Sequence, residues 1–453
     1  MGKLFGSSGV RGLVNDSLTP ILAAQIGTAV GTYSKARTVL VARDTRTSGH
    51  MLQTALVAGL LSTGTDVKIL GILPTPTLAF LTLKMNAGAG IMITASHNPP
   101  QYNGIKIFSP DGVAYTERRQ DAIEKILSRQ EFKRASWRQI GGSQSSDQAQ
   151  LYVDMITRSV QLHKEWHIVV DLGCGATYRL APAILKGLGC KVSTLNAQPD
   201  GFFPSRSPEP NRESLQTLAR TVKVLGANLG LAYDGDGDRV AFIDEAGVFV
   251  DFDRVLAAYA GYITEKHGDG LVVTNVETSM CIDKMVEASN GKVLRSKVGD
   301  VYVSGMMKKT KAIFGGEPCG AWIHPAFHYC PDGILSSALL LRALEEKDQT
   351  LSELVSETPE YQTLRRNIPF DKQNERGIVE EIKENFHGVF KGHTEVSKVD
   401  GIRISLEDGW ILIRQSGTEP LIRLTVEGES LKTARTIMKK GAILVQRARR
   451  SVS

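Results

Sequence analysis

Three times along this chain a similar succession of short apolar strands and helices returns, and each time it runs out into an unusual polar loop. In the first pass Val39-Leu40-Val41 reads as a strand, about Met51 to Ser62 as a helix, Val67-Lys68-Ile69-Leu70 as a strand and about Thr77 to Met85 as a helix. The run Ala89-Gly90-Ile91-Met92-Ile93 then meets Thr94-Ala95-Ser96-His97-Asn98-Pro99-Pro100. Apolar residues closed by a polar tripeptide and two prolines predict a buried strand that stops abruptly, with Ser96 at its end. The second pass has Ile168-Val169-Val170 as a strand, Ala181 to Leu188 as a helix, Lys191-Val192-Ser193 as a strand, and Ala227 to Ala232 as the strand ending at Asp234. In the third, Leu271-Val272-Val273 begins, Gly291-Lys292-Val293 follows a helix, and Ala312-Ile313-Phe314 ends at Gly315-Gly316-Glu317. Alternation of this kind calls for α/β modules, in which ligands collect beyond the carboxyl ends of the strands.

A chain of 453 residues is too long for one core. The polar stretch Gly141-Gly142-Ser143-Gln144-Ser145-Ser146 and the surroundings of Pro359 read as linkers, and a third boundary falls near Gly247. After about Asn367 the pattern changes to strands at Glu395 to Val399, Ile402 to Leu406, Trp410 to Arg414 and Leu421 to Val426, closed by a helix from about Ser430. The expected architecture is therefore three similar α/β modules with mixed sheets, at 1–146, 147–246 and 247–366, and a smaller C-terminal α+β domain at 367–453.

Composition narrows the function classes. No apolar run reaches membrane-span length and no signal peptide opens the chain, so a cytoplasmic protein is expected. Five cysteines form no CxxC pair, which argues against a disulfide framework or a zinc ribbon. Cys319, His324, His328 and Cys330 fall close together, but their spacing matches no zinc pattern. A net charge of +6 without a long basic block suits small anions better than nucleic acid.

Asp234-Gly235-Asp236-Gly237-Asp238-Arg239 is the most specific motif. In extended chain, residues two apart point the same way, so three carboxylates converge while the glycines let the backbone fold around them. Like charges about 4 Å apart repel by about 4 kcal/mol at an effective dielectric of about 20, so the cluster needs a cation. Hard oxygen ligands favour Mg²⁺. An EF-hand would put Asp234, Asp236, Asp238 and Glu245 at loop positions 1, 3, 5 and 12, but Arg239 stands where that loop needs glycine; a solvated acidic turn is the plainer alternative. Arg414-Gln415-Ser416-Gly417-Thr418-Glu419-Pro420, with Arg423 beyond, offers the donors that a phosphate dianion takes, or else a hairpin turn with a surface arginine. The opening Phe5-Gly6-Ser7-Ser8-Gly9-Val10-Arg11-Gly12 presents one cation among glycines. Ser96 is a candidate nucleophile or group carrier, or a turn residue. A rival class comes from Ile168 to Thr177, whose Asp171-Leu172-Gly173-Cys174-Gly175 resembles the glycine-rich motif of adenosylmethionine-dependent methyltransferases, although Thr177 replaces its usual third glycine.

A hydroxyl carrier, a Mg²⁺ site and a phosphate clamp together describe phosphoryl transfer. Thr94 through Pro99, Asp234 through Arg239, Gly316-Glu317-Pro318-Cys319-Gly320 and Ser416 through Pro420 resemble, in order, the four signature loops of the α-D-phosphohexomutases. The resemblance covers the whole chain and implies a heart-shaped four-domain enzyme interconverting hexose or hexosamine 6-phosphate and 1-phosphate. It implies that Ser96 is a stored phosphoserine, that Asp234, Asp236 and Asp238 with a phosphoserine oxygen hold Mg²⁺, and that Lys106 assists proton transfer beside Arg11 and Arg239. Glu317 would read sugar hydroxyls with Cys319 nearby, Gly299 and Asp300 would help seat the sugar phosphate, and Arg414, Ser416, Gly417, Thr418 and Arg423 would clamp the far phosphate. Cys319 and Ala321 depart from the Ser and His frequent in the sugar loop. The opening segment, the Val298-Gly299-Asp300 loop and the compact length favour glucosamine phosphate over mannose or glucose phosphate. A sugar 1,6-bisphosphate would serve as activator, and the enzyme would be a monomer or homodimer without nucleic-acid or membrane partners. The alternatives are a phosphomannomutase or phosphoglucomutase specificity and a non-catalytic sugar-phosphate sensor, which would have no need of Ser96.

Overall fold

A computed structural model describes residues 4–6, 8–34, 38–369, 375–415 and 421–452. Its first sheet has the order Val10–Leu13, Tyr102–Phe108, Ala89–Ile93, Thr38–Arg43, Asp66–Ile72, Ser143–Ser145. The second runs Val240–Ile243, Leu229–Tyr233, His167–Asp171, Lys191–Leu195, and the third Ala321–Ile323, Phe314–Glu317, Gly270–Asn275, Gly291–Ser296. One topology is used three times. A central strand pairs in parallel with the two that follow it, and the outer of these turns back into an antiparallel hairpin strand. The central and outer strands are buried along nearly their whole length, which is why they read as unbroken apolar runs. The hairpin strands follow directly on the polar loops, so each loop is gripped by a strand on both sides.

Some expectations are revised by pairing. Ser143–Ser145, inside the stretch read as a linker, adds a parallel edge strand beside Val67, Lys68 and Ile69. The third module's outer strand starts at Phe314 rather than Ala312, because the Ala312 N–H is used to close the helix Asp300–Thr310 on the Met307 carbonyl. The last sheet, fully antiparallel, has the order Gln362–Pro369, Leu421–Gly428, Gly409–Gln415, Ile402–Leu406, Glu395–Ser397. Its first strand is mostly exposed and reads Gln-Thr-Leu-Arg-Arg-Asn-Ile-Pro, with no alternation to reveal it.

The modules differ in how their cores join. A single apolar cluster runs from Leu78 and Phe80 in the first module through Leu231 and Phe242 in the second to Trp322 and Leu341 in the third. The C-terminal domain has its own core around Phe390, Ile411 and Val445. It meets the third module at a small cluster of Val276, Trp410 and Leu412, and through buried Arg403, which stacks on Trp410 and donates to the Val276 and Thr278 carbonyls.

Candidate active site

Ser96 lies three residues beyond the strand Ala89–Ile93, with φ of 52°, a left-handed conformation that a non-glycine residue adopts only when its surroundings impose it. The imposing group is Arg46, 1% exposed. All five guanidinium N–H groups are used: Nε on Asp44, Nη1 on the Pro99 and Tyr102 carbonyls, and Nη2 on those of Ser96 and Asn98. Asp44 also accepts from Thr94 Oγ1, which in turn accepts the Ser96 N–H at 2.9 Å. The Ser96 hydroxyl is thereby aimed at the second module, donating to Asp234 Oδ2 at 2.7 Å, with His97 Nδ1 3.2 Å away. Burial, then Arg239 and Arg11, push the His97 imidazole down to about 3, so it is neutral.

Asp234, Asp236 and Asp238 are buried and offer oxygens all within 4.8 Å of one another. Gly237, at φ of 74°, closes the loop; a Cβ there would lie 2.4 Å from Thr177 Cγ2. Asp234 Oδ1 accepts the Gly237 and Arg239 N–H groups, while Lys106 Nζ bridges Asp236 and Asp238 at 2.7 Å each. Lys106 reaches them because Tyr102–Phe108 turns Ile105 and Ile107 to the core and, one residue out of phase, Lys106 to the cleft. The charge is unevenly compensated. Burial and its two neighbouring carboxylates raise Asp234 well above the usual carboxylate range; for Asp236 burial acts the same way, but the Lys106 ammonium outweighs it and holds the group low. Asp236 Oδ1 and Asp238 Oδ1 are buried with no hydrogen-bond partner. Hard oxygen donors with unmet charge fit a divalent metal ion, and among the described residues no other His, Cys, Asp or Glu cluster does. His324 and His328 instead bond Ser336 and Asp332, and Glu245, the twelfth position of the discarded EF-hand, accepts from Ser352.

The third module brings Glu317 to the same cleft. Its Oε1 accepts from Asn275 Nδ2 at 2.7 Å and from the Gly299 N–H at 2.8 Å, and burial followed by the Asp300 charge raises its carboxyl. Burial pushes the Cys319 thiol up to about 12, so it stays protonated. Arg11 comes in on an edge strand formed by the chain's opening segment, its Nη1 donating to Asn98 Oδ1 at 2.6 Å. Close packing there needs Gly9, whose Cβ would meet the Ile105 carbonyl at 2.5 Å. Ser96, His97, Lys106, Arg11, Arg239, Gly299, Asp300, Glu317 and Cys319 thus line one cavity of about 450 Å³. Arg414 stands apart from that lining: Nη1 holds Asp400 at 3.0 Å and Nε faces Glu277 at 3.5 Å. Arg423 is its direct cross-strand neighbour; Ser416, Gly417 and Thr418 lie outside the described residues.

Most of the chain is matched, module by module, by one family. Residues 2–134, 150–247 and 251–361 match the phosphoglucomutase/phosphomannomutase alpha/beta/alpha domains I, II and III, and residues 371–442 match the C-terminal domain. A protein named probable phosphoglucosamine mutase from Pyrococcus abyssi is 42% identical over 453 residues, covering 100% of both chains. The chain belongs to the phosphoglucomutase/phosphomannomutase family. It is accordingly a phosphomutase, an enzyme of the isomerase class. The crystal structure of a phosphoglucomutase/phosphomannomutase family protein from Burkholderia thailandensis superposes with a TM-score of 0.89 at 28% identity, covering 100% of this chain and 98% of that one. An N-acetylglucosamine-phosphate mutase, described as a member of the alpha-D-phosphohexomutase superfamily, shares the fold at a TM-score of 0.59 and 13% identity, covering 100% and 97%.

Within this phosphoglucomutase/phosphomannomutase architecture the methyltransferase reading of Ile168 to Thr177 is not favoured, and the structure gives the motif other work. The Ala176 N–H bonds the Gly235 carbonyl and Thr177 packs on Gly237, so the segment buttresses the aspartate loop. Asp171 pairs with Arg206 at 3.1 Å, and Arg206 donates to the Tyr233 carbonyl at the root of that loop. Asp44 with Arg46, Asp171 with Arg206, and Asn275 with Glu317 escaped the sequence reading. Their one signal is positional: Asp44, Asp171 and Asn275 each stand at or just beyond the end of their module's central strand.

Proposed function

We propose that the enzyme interconverts the 6-phosphate and 1-phosphate of a hexosamine, glucosamine first among the sugars, through a phosphorylated Ser96 and a sugar 1,6-bisphosphate. The observation that carries this reading is the 2.7 Å hydrogen bond from the Ser96 hydroxyl to Asp234, which puts a buried nucleophile with left-handed backbone against the only metal-fitting cluster among the described residues. A sugar-phosphate sensor would have no use for that pairing.

In the proposed cycle, the P–O bond to Ser96 Oγ breaks as one forms to a sugar hydroxyl. The bisphosphate then turns over and returns its other phosphate to Ser96. Asp234, Asp236 and Asp238 with an oxygen of the phosphorylated serine would hold Mg²⁺, which when bound supplies positive charge against the transferring phosphoryl group. Arg11, Lys106 and Arg239 provide fixed cations around the same point. Lys106, held as an ammonium by Asp236 and Asp238, supplies charge or a proton rather than accepting one. Glu317 reads sugar hydroxyls, and Arg414 with Arg423, Ser416, Gly417 and Thr418 clamps the phosphate that is not reacting. A single clamp serves both half-reactions because the reoriented bisphosphate presents a phosphate to it either way.

Relatives named phosphoglucosamine mutase support the glucosamine assignment. No helix among the described residues is long and apolar enough to cross a membrane, in keeping with a cytoplasmic site of action for a sugar-phosphate enzyme. Two measurements test the reading. Peptide mass spectrometry after incubation with glucosamine 1,6-bisphosphate should find phosphate on Ser96; its absence removes the carrier. A comparison of kcat/KM for glucosamine, mannose and glucose 6-phosphates on one preparation should favour glucosamine, and a lower value than either rival changes the substrate while leaving the phosphomutase class in place.

A further inference from the structure

The cavity is charged in two senses. Arg11, Lys106 and Arg239 suit phosphate, but Asp300 and Glu317 line the same space. Their positions are linked, since the N–H of Gly299, the residue before Asp300, donates to Glu317 Oε1 at 2.8 Å. Gly299 itself, at φ of 126°, is what lets the chain turn there into the helix Asp300–Thr310. Asp300 spends one oxygen on the Ser8 hydroxyl, 3.1 Å away. No lysine or arginine among the described residues forms an ion pair with either Asp300 or Glu317, whereas the other two carboxylates of the cavity are paired, Asp238 with Lys106 and Glu277 with Arg414.

Neither of these neighbouring carboxylates is in contact with a lysine or arginine, although the charges of Arg11 and Lys106 act on Asp300 and that of Arg239 on Glu317 from across the cleft, so a ligand that brings a positive charge into contact with them gains most. Asp300 is also the wrong charge to seat a phosphate dianion. A neutral hydroxyl could donate to such a pair, but a cationic donor also offsets its charge. Glu317 Oε1 is committed to Asn275 and Gly299, which leaves Glu317 Oε2 and the second oxygen of Asp300 as the acceptors the pair offers a ligand. Building on the hexosamine reading above, we propose that Asp300 is the residue that selects the amino sugar, its carboxylate taking the protonated 2-amino group of a hexosamine phosphate while Glu317 reads a neighbouring hydroxyl.

The decisive variant is Asp300→Asn, because the amide oxygen keeps the acceptor for Ser8 and removes only the charge. The quantity to measure is the ratio of kcat/KM for glucosamine 6-phosphate to that for glucose 6-phosphate, each activated with its own bisphosphate; within one preparation any loss of folded enzyme cancels. In the wild type the ratio should favour glucosamine and fall as the pH rises through the amine's pKa. In Asp300→Asn it should drop about tenfold or more, the cost of one charge-assisted contact, and lose that pH dependence. Ser8→Ala, which removes the tether and keeps the charge, should retain the preference and its pH profile. Asp300→Ser puts the same question should the Asn variant fold poorly. A wild-type ratio and pH profile in the Asp300 variants overturns the assignment of this residue and leaves the substrate standing. A wild type with no preference for glucosamine 6-phosphate overturns the hexosamine reading, and the role of Asp300 with it.

Discussion

Arg46 and Arg414 are both arginines beside loops to which the proposed mechanism gives phosphate, and the structure holds them in opposite ways. Arg46 is buried, paired with Asp44, and has all five N–H groups satisfied, four of them on backbone carbonyls around Ser96. Among the described residues Arg414 pairs with two carboxylates, Asp400 and Glu277, whose side chains are 28% and 34% exposed, and its Nε has no hydrogen-bond partner there. The cores repeat the contrast, with the first three modules sharing one apolar cluster while the C-terminal domain keeps its own. A guanidinium bonded to backbone fixes a shape, and breaking it exposes buried carbonyls. A guanidinium paired with partly exposed carboxylates exchanges them for a phosphate at small cost. On the proposed mechanism the chemical step belongs to the preorganised side, and holding the non-reacting phosphate belongs to the C-terminal domain with its own core.

The sharpest test of the preorganised side is Ser96→Ala. Turnover should fall by about four orders of magnitude or more, as for removal of a covalent carrier, in a protein whose thermal midpoint is little changed; near-normal steady-state rates would place the carrier elsewhere. Next comes Asp236→Asn, for which kcat should drop by about 10²–10³ with far less change in sugar-phosphate affinity, and exhaustive chelation of the wild type should have a comparable effect. Activity that survives both treatments would take the metal out of the mechanism.

Breaking the comparison itself requires the two arginines side by side. Arg46→Met should cost about 3–5 kcal/mol of stability, because Asp44 is left buried and unpaired, and should lower kcat through a displaced Ser96; chemical denaturation and kinetics on one preparation measure both. Arg414→Ala should raise KM by about tenfold to a hundredfold, the equivalent of one charge-assisted phosphate contact, with denaturation midpoints close to wild type. If Arg414→Ala were the less stable protein, the distinction between a scaffold arginine and a ligand arginine would collapse.

The smallest effect belongs to the shared core. His324 is buried beside Phe314 and Tyr259, and burial, helped by His328, pushes it down to about 3. Its unfolded value is about 6.5, so the unfolded chain takes up the proton first. The stability this group contributes is complete above pH 6.5 and is lost as the pH falls from there toward 3, about 2 kcal/mol of it by pH 5. Denaturation at pH 7 and pH 5 should show that slope in the wild type and a flatter one in His324→Gln; equal slopes would assign the acid sensitivity to other groups.

Part of this protein is determined by its sequence alone. Short apolar runs alternating with helices, three times over, dictate three α/β modules because a strand buried on both faces has to be continuously apolar, and that signal is local. Asp234, Asp236 and Asp238 belong to the same class of information, since alternate carboxylates in a glycine-rich loop converge whatever surrounds them. Other features are decided only in three dimensions. The strand Gln362–Pro369 carries no periodic pattern, and it exists because Leu421–Gly428 offers it a partner more than fifty residues later in the sequence. Nothing near Arg46 in the chain announces that its guanidinium will gather four carbonyls from residues 96–102, or that Lys106 will bridge carboxylates 130 and 132 residues away. Those contacts depend on which loops the repeated topology brings to one cleft, and it is the low dielectric of that cleft, a property of the assembled modules, that turns ordinary aspartates, an arginine and a lysine into a charged site.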